Sequence, residues 1–197
     1  MKSPELICDF VGGAVGHRRR FGGGKLQDLP KALGFRARII PTIVDATAGL
    51  GRDAFLLASL GAQVTLIERS VDVHQLLSDG MRRAAATNEE LAEIIGRMHL
   101  IHGDARELLP DLAAETILID PMHPPRAKSA LVKNEMRLLR ELVGHDRDCA
   151  ELLQVALDTA SKRVVLKWPR RGEPISGFQP PSHQIVGKST RYDVFMR

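Results

Sequence analysis

Residues 44–54 have the sequence VDATAGLGRDA, and the fold of the chain is decided by this stretch. The apolar run IIPTI precedes it at residues 39–43, and FLLASL follows it at residues 55–60 before Gly61. This pattern predicts a buried strand, a glycine turn and a helix, the layout at which nucleotide cofactors bind. Gly49 and Gly51 lack a Cβ, so the turn can be tight and a ligand can approach the backbone. The new helix would direct unpaired N–H groups and its positive dipole end at that ligand.

The residues around the two glycines distinguish between possible cofactors. With Ala54, the glycines fit the G-x-G-x-x-A form of a dinucleotide fingerprint, so NAD is one candidate. Asp45, however, comes just before the turn, where a carboxylate would repel a pyrophosphate but would suit the cationic amino-acid end of S-adenosylmethionine. Arg52 and Asp53 follow the second glycine and place a charged pair at the helix start. The turn therefore favours S-adenosylmethionine over NAD.

Composition sets broad limits on the protein class. A chain of 197 residues with 44% hydrophobic and 26% charged residues is typical of one globular α/β domain. We expect that domain to span residues 1–197, with residues 1–41 as a Gly/Arg-rich lead-in. No membrane span or signal peptide is expected. Cys8 and Cys149 lack metal-type spacing, which predicts two buried thiols in a reducing cytosol and no metal site. The net charge of +4 permits nucleic-acid binding without establishing it.

Apolar runs further along the chain predict the rest of the sheet. Parallel strands are expected at residues 63–67, 98–102, 116–119 and 163–167, and a closing antiparallel hairpin at residues 184–187 and 192–195. Ser70, and Thr87 paired with Glu90, have the spacing of residues that begin helices. The predicted fold class is α/β, with a mostly parallel seven-stranded sheet and a C-terminal antiparallel hairpin. Such a hairpin is usual in methyltransferase sheets and absent from the usual NAD-binding sheet.

Acidic residues follow the second and third strands. Glu68 lies at the end of the second strand, near the distance from the glycine turn at which nucleotide-binding folds place a carboxylate for ribose hydroxyls. Asp104 follows the third strand. There it can accept a hydrogen bond from an adenine amine or cap the helix that begins at Ala105, and the spacing permits both roles.

The fourth strand ends in a second group of candidate functional residues, Asp120-Pro121-Met122-His123. It resembles the Asp/Asn-Pro-Pro-aromatic loop of amino-group methyltransferases. An exocyclic base amine is a poor nucleophile because its lone pair is delocalised into the ring. The Asp120 carboxylate and the Pro121 carbonyl can accept its N–H groups, which localises the lone pair and orients it. His123 stands where an aromatic ring would stack on a flipped-out base.

Two basic segments are candidates for RNA phosphates, although each could instead be a solvated surface. The first lies in the glycine-dense lead-in at residues 9–25 and the second follows the Asp120 loop. The candidate residues are Arg18, Arg19, Arg20, Lys25, Arg126, Lys128 and Lys133.

Together these motifs resemble the ribosomal RNA small subunit methyltransferase J family. The matching segments are residues 9–25, 45–55, 68–69, 120–122, 128–136 and 163–169. Members of that family methylate the 2-amino group of a guanosine in 16S rRNA, using S-adenosylmethionine. In the family loop an aromatic residue usually occupies the position of His123, and family members commonly have more residues before the Asp9 segment.

The resemblance implies a class I S-adenosylmethionine-dependent methyltransferase (Rossmann-like) fold. It also implies a cytoplasmic enzyme with a ribosomal subunit or its precursor as partner. The cofactor contacts that it implies are Arg52, Asp53, Glu68, Arg69, Asp104, Ala105 and Asp120. From the residues alone three alternatives stay open, namely an NAD-dependent oxidoreductase, a methyltransferase for a small amine or a protein, and a non-catalytic RNA-binding protein. The oligomeric state is not indicated.

Overall fold

A central sheet organises the protein in the computed structural model, which describes residues 6–12, 24–122 and 148–197. The strands are β1 (Ile43–Asp45), β2 (Val64–Glu68), β3 (Met98–His102), β4 (Thr116–Ile119), β5 (Arg163–Pro169), β6 (His183–Val186) and β7 (Thr190–Met196). The α-helices in these ranges are α1 (Asp28–Leu33), α2 (Arg52–Ser59), α3 (Val71–Ala85), α4 (Glu89–Ile95), α5 (Ala105–Leu108) and α6 (Cys149–Thr159). Single 3-10 turns occur at Gly24–Leu26 and Leu109–Asp111.

The strands form one seven-stranded sheet in the order β3-β2-β1-β4-β5-β7-β6. Strands β1 to β5 are mutually parallel, and β7 runs antiparallel to both β5 and β6. The predicted α/β class and the antiparallel C-terminal pair are confirmed. Because the first five strands are parallel, their carboxyl ends lie along one edge of the sheet, the edge at which ligands bind in open α/β folds.

The first strand begins later than the sequence predicts, because Ile43 alone of the predicted residues 39–43 belongs to β1. Only Ile43–Asp45 pairs with neighbouring strands, whereas Ile39 and Ile40 are 53% and 46% exposed. The backbone N–H and C=O groups of Ile39 instead bond to Arg36 in a local turn. Pro41 then interrupts the run, because it has no N–H to donate to a neighbouring strand. The apolar pattern could not reveal this competing local pairing.

The helix starts agree with the sequence in one case and differ in the other. The Ser70 hydroxyl accepts the Val73 N–H at 3.4 Å and caps α3, as predicted. Helix α4 begins one residue later than predicted, because Asn88 rather than Thr87 caps it by accepting the Leu91 N–H at 2.9 Å. The Thr87 hydroxyl donates to the Arg83 carbonyl at 3.0 Å and so belongs to the end of α3.

The segment at residues 6–12 packs against the start of α2 and the glycine turn. Phe10 is 1% exposed and stacks on Phe55 with ring centroids 4.8 Å apart. The Cys8 thiol donates to the Leu50 carbonyl at 3.2 Å. Cys8 and Cys149 are both free and buried, as expected. This part of the lead-in therefore supports the turn from behind through its apolar side chains.

Helices cover both faces of the sheet. One core cluster includes Phe55, Leu66 and Leu77, and the other includes Ile117 and Leu153. Among the residues that the structure describes, no helix is long and apolar enough to cross a membrane.

Candidate active site

A pocket opens where the parallel strands end. Seven predicted site residues line it, contributed by the tips of β1 to β4 and the turns that follow: Gly49, Glu68, Arg69, Asp104, Ala105, Asp120 and Pro121. Apolar residues, among them Ile67, Met122 and Leu152, also line the pocket. The other predicted residues of the glycine turn, namely Asp45, Gly51, Arg52 and Asp53, are not among the described residues that line the pocket.

The two glycines of the turn serve different purposes. Both adopt a left-handed backbone, with φ of +53° at Gly49 and +66° at Gly51. A Cβ at Gly49 would meet nothing closer than 4.0 Å, so this glycine is required by its backbone conformation and leaves the pocket side open. A Cβ at Gly51 would lie 2.7 Å from Leu77 Cδ1 and 3.3 Å from Phe10. Gly51 therefore allows α3 and the lead-in to pack closely behind the turn.

Glu68 connects the tip of β2 to the glycine turn. Its side chain is only 4% exposed, and its two carboxylate oxygens accept the N–H groups of Gly49 and Ser70, each at 2.8 Å. The carboxylate thereby fixes the turn and the start of α3 relative to the strand. The ribose role predicted for Glu68 stays a prediction.

An ionic network forms another part of the pocket lining. Asp104 caps α5 by accepting the Arg106 N–H at 2.9 Å, and its carboxylate also lies 2.7 Å from the Arg106 guanidinium. Arg106 reaches Glu151 at 2.5 Å and Asp148 at 3.2 Å, and Arg69 donates to Asp148 at 2.7 Å. The hydrogen bonds from Arg106 hold the pKa of Asp104 below its ordinary value. Of the two roles predicted for Asp104, the helix cap is present, and the adenine contact stays a prediction.

The strand register places a lysine, Lys167, beside Asp120 at the end of β4. Leu166 of β5 pairs with Ile119 of β4, so Lys167 and Asp120, the next residues, are level with each other. The Lys167 ammonium lies 2.5 Å from Asp120 Oδ2 and 2.7 Å from Asp53 Oδ2. Burial alone would lower the pKa of Lys167, but the charges of the two carboxylates outweigh burial and raise it. Lys167 is therefore a permanent cation that joins the start of α2 to the tip of β4.

Asp120 is also fixed through its backbone. Its N–H donates to the Thr47 hydroxyl at 2.7 Å, which ties the tip of β4 to the glycine turn. Asp45 accepts the N–H of the same Thr47 at 3.2 Å and is 3% exposed. Burial, assisted by the negative charge of Asp53, raises the pKa of Asp45 to about 7, against the Thr47 N–H bond that lowers it. The carboxylates around the turn thus form a negative cluster balanced in part by Lys167.

Several predicted residues fall outside this geometry. His123, Arg18, Arg19, Arg20, Arg126, Lys128 and Lys133 lie outside the described residues. Lys25 lies in the 3-10 turn Gly24–Leu26.

Sequence reasoning missed Lys167, Thr47, Arg106 and Asp148 as members of these networks. The one signal was Lys167 itself, a charged residue that directly follows the apolar run Val164–Leu166 in β5.

The fold and the pocket position define the class of protein. A mostly parallel seven-stranded sheet that ends in an antiparallel pair is the architecture of class I S-adenosylmethionine-dependent methyltransferases. Over residues 1–197 the chain matches the model of a family described as "Putative SAM-dependent methyltransferase". The chain belongs to this family. S-adenosylmethionine is therefore the cofactor, as predicted, and the NAD alternative is rejected.

Individual relatives agree with this assignment. A protein of Agrobacterium fabrum named "Ribosomal RNA small subunit methyltransferase J" is 62% identical over 195 residues, which cover 99% of this chain and 94% of the relative. A Brucella anthropi protein of the same name is 62% identical over 98% of this chain and 94% of its own length. The crystal structure of a SAM-dependent methyltransferase from Neisseria gonorrhoeae is 43% identical, with a TM-score of 0.76, and the match covers 99% of this chain and 76% of that one.

The pocket has the chemistry that this cofactor requires. Ile67 and Leu152 offer apolar surface for an adenine ring, and the Glu68 carboxylate is an acceptor at the pocket wall for sugar hydroxyls. The lining contains four carboxylates, two of them from Asp104 and Asp120, against the two arginines Arg69 and Arg106. This excess of negative charge suits a ligand that carries positive charge on its sulfonium and amino groups. The residues present therefore fit S-adenosylmethionine.

Proposed function

We propose that this protein methylates the exocyclic 2-amino group of a guanosine in 16S rRNA of the small ribosomal subunit. The proposal is supported by relatives named for ribosomal RNA small subunit methylation, which are about as long as this chain and 62% identical to it. It is also supported by the presence of Asp120 and Pro121 among the residues that line the pocket.

In this proposal the pocket residues divide between the parts of the cofactor. Glu68 accepts hydrogen bonds from the ribose hydroxyls, Asp104 and Ala105 contact the adenine, and Gly49 lies beside the amino-acid end. Asp45, Arg52 and Asp53, which are outside the pocket lining, are assigned to the amino-acid end from the sequence. Arg69 lines the pocket and is held there by its bond to Asp148. When bound, the cofactor supplies an electrophilic methyl group on a sulfonium sulfur.

The single observation that carries the proposed chemistry is the way Asp120 is held. Its N–H bonds to Thr47 and one carboxylate oxygen bonds to Lys167, so the group is fixed from two sides at the pocket wall. A cation beside a carboxylate favours its ionised form, which is the form that accepts an amine N–H. Asp120 and the Pro121 carbonyl would together orient the guanine amine, and positioning of this kind accounts for much of the rate. After transfer, Asp120 or water would take the acidic proton from the nitrogen.

The remaining parts of the proposal concern the RNA and the cell. Stacking of His123 on the target base, and phosphate contacts from Arg18, Arg19, Arg20, Lys25, Arg126, Lys128 and Lys133, are assigned from the sequence. We further propose that residues 1–197 act as one methyltransferase domain in the cytoplasm, where ribosomal subunits are assembled.

The decisive experiment is transfer of a tritiated methyl group to small subunits from cells that lack this protein, followed by nucleoside analysis. We expect label in N2-methylguanosine of 16S rRNA. Asp120→Ala should abolish transfer with little change in melting temperature. Asp158→Ala, which removes an exposed carboxylate from α6, should leave transfer unchanged. Label in ribosomal protein, in another nucleoside or only in a small amine would reject the proposed substrate, and near-normal activity of Asp120→Ala would reject the assigned role.

A further inference from the structure

Two loops that the proposed chemistry does not use meet at the edge that carries the pocket. Strand β5 ends at Pro169, and β7 begins beside it at Thr190, because the two strands are antiparallel. The connection after β5 and the turn before β7 are therefore neighbours, and the Arg170 N–H donates to the Ser189 carbonyl at 3.1 Å. We name residues 169–173 and 187–189 the basic corner. It contains three exposed cations, Arg170, Arg171 and Lys188.

A buried arginine fixes the shape of the basic corner. Arg191 is 7% exposed, and its Nη1 donates to the carbonyls of Gly172 at 2.6 Å and Pro169 at 3.2 Å. Its Nε donates to the buried carboxylate of Asp193 at 3.0 Å. A buried ion pair is weak evidence for stability but is well suited to specifying one geometry. Here the guanidinium bonds directly to carbonyls of the loop that displays Arg170 and Arg171.

A second set of contacts closes the same loop from the other side. The Trp168 indole N–H donates to the Glu173 carbonyl at 2.8 Å, and the Gly172 N–H donates to the Pro169 carbonyl at 2.9 Å. A Cβ at Gly172 would lie 2.8 Å from Trp168 Nε1, so a side chain there would force the loop to shift. The two exposed arginines are thus carried on a backbone held in place by specific bonds.

The position of this corner relative to Asp120 indicates its partner. Lys167 of β5 bonds to Asp120, and Arg170 is the first residue after β5, which ends at Pro169 two residues beyond Lys167. Two residues of strand span only about 7 Å, so the corner begins close to the pocket wall. Arginine guanidinium groups match phosphate geometry and dominate such contacts. We propose that Arg170, Arg171 and Lys188 bind RNA phosphates beside the nucleotide that Asp120 receives. This inference rests on the proposed function, because it takes RNA as the substrate.

The opposite edge of the sheet provides a charge-matched control. Arg36 and Arg38 are exposed in the turn closed by the Arg36–Ile39 pairing, ahead of β1. Arg36 lies close enough to Arg163, the first residue of β5, for their charges to interact. Replacing this pair removes the same charge at the amino ends of the strands, away from the pocket.

The test compares the double variant Arg170→Gln/Arg171→Gln with Arg36→Gln/Arg38→Gln and the wild type. The dissociation constant for unmethylated small subunits is measured across a salt series, with KM for the subunit and the dissociation constant for S-adenosylhomocysteine. We expect the corner variant to bind subunits about tenfold more weakly, with a salt slope reduced by about two, one for each phosphate that is no longer neutralised. Its S-adenosylhomocysteine binding and melting temperature should match those of the wild type, and the control variant should change subunit binding less than about twofold.

Equal weakening by the two variants would overturn the inference, since it would show a general effect of net charge. An unchanged KM in the corner variant would overturn it as well. These results leave the proposed function standing if the wild type still methylates the subunit. A wild-type protein that binds S-adenosylhomocysteine but transfers no methyl group to the subunit would instead overturn the proposed function and the RNA role of the corner with it.

Discussion

Lys167 bridges Asp53 and Asp120, two carboxylates that belong to different parts of the site. Its ammonium lies 2.7 Å from the first, at the start of α2, and 2.5 Å from the second, at the tip of β4. One cation therefore connects the glycine turn to the residue proposed to orient the guanine amine. Its positive charge offsets part of the repulsion between these carboxylates and the neighbouring Asp45.

We predict that Lys167→Met impairs catalysis more than folding. Loss of the cation should remove the ion pair that fixes the Asp120 side chain, so transfer at neutral pH should fall by about 10²-fold, the scale for one preorganised electrostatic contact. Stability should fall by roughly 1–3 kcal/mol, less than for a fully buried pair, since the Lys167 side chain is 23% exposed. Single-turnover methyl transfer and urea unfolding measure the two effects.

Lys162→Met provides the matched control for that variant. Lys162 pairs with Glu115 at 2.7 Å, but the two side chains are 59% and 40% exposed. An exposed pair contributes only about 0–1 kcal/mol, so both activity and stability should stay near wild type. If the Lys167 variant behaves like this control, the bridge has no functional importance.

A second prediction concerns the pH dependence of stability. The folded pKa of Asp45 is about 7, above its ordinary value of 3.8, because burial and Asp53 disfavour the charge. Between these two pKa values the folded protein holds a proton that the unfolded chain has released, so the protonated Asp45 stabilises the fold. This stabilisation is fully present below the ordinary pKa of the carboxyl group. It is lost as the pH rises from about 4 through 7.

Asp45→Asn should remove this dependence. Since one pKa unit corresponds to about 1.4 kcal/mol, we expect the wild type to lose at least roughly 1 kcal/mol more than the variant between about pH 5 and pH 8. The measurement is the free energy of unfolding from urea titrations at both pH values. Parallel pH profiles for the two proteins would show that Asp45 ionises normally in the folded state.

A third prediction separates the two glycines of the turn. Gly51→Ala combines a left-handed φ of +66° with a contact at 2.7 Å to Leu77, so it should destabilise the fold by about 2–4 kcal/mol. Gly49→Ala has only the backbone cost, about 1–2 kcal/mol, because nothing lies nearer than 4.0 Å. Gly49 lines the pocket, so its variant should lose more affinity for S-adenosylhomocysteine per unit of lost stability. Thermal unfolding measures the stability loss of each variant, and calorimetry measures its affinity for S-adenosylhomocysteine. Equal stability losses in the two variants would contradict the prediction.

The general plan of the site could be predicted because it follows from local patterns. A glycine turn after a strand, and acidic residues directly after the next strands, must meet at one edge once the strands are parallel. Glu68, Asp104 and Asp120 were therefore identifiable from their places in the chain. The helix cap at Asp104 was identifiable in the same way, since a cap involves residues two or three positions apart.

The ionic networks could not be predicted because their partners are remote in sequence. Lys167 is 114 residues from Asp53 and 47 from Asp120, and Arg69 is 79 from Asp148. Such pairs depend on strand register and helix placement, which hydrophobic periodicity does not determine. The error at residues 39–43 has a related cause, since an apolar run does not show which residues another strand will pair with.

The last prediction tests whether the basic corner acts through its shape as well as its charge. Gly172→Ala removes no charge, but its Cβ would lie 2.8 Å from Trp168 Nε1 and so should displace the loop that carries Arg170 and Arg171. We expect KM for the small subunit to rise about threefold to tenfold with little change in S-adenosylhomocysteine binding, since weakened phosphate binding lowers affinity without touching the cofactor pocket. Gly177→Ala is the control, because a Cβ at that exposed position in the same connection meets nothing within 4 Å, and its φ of +89° adds only a local backbone cost. If KM is unchanged in Gly172→Ala while the double arginine variant is impaired, the corner contributes charge alone and its fixed geometry is not required.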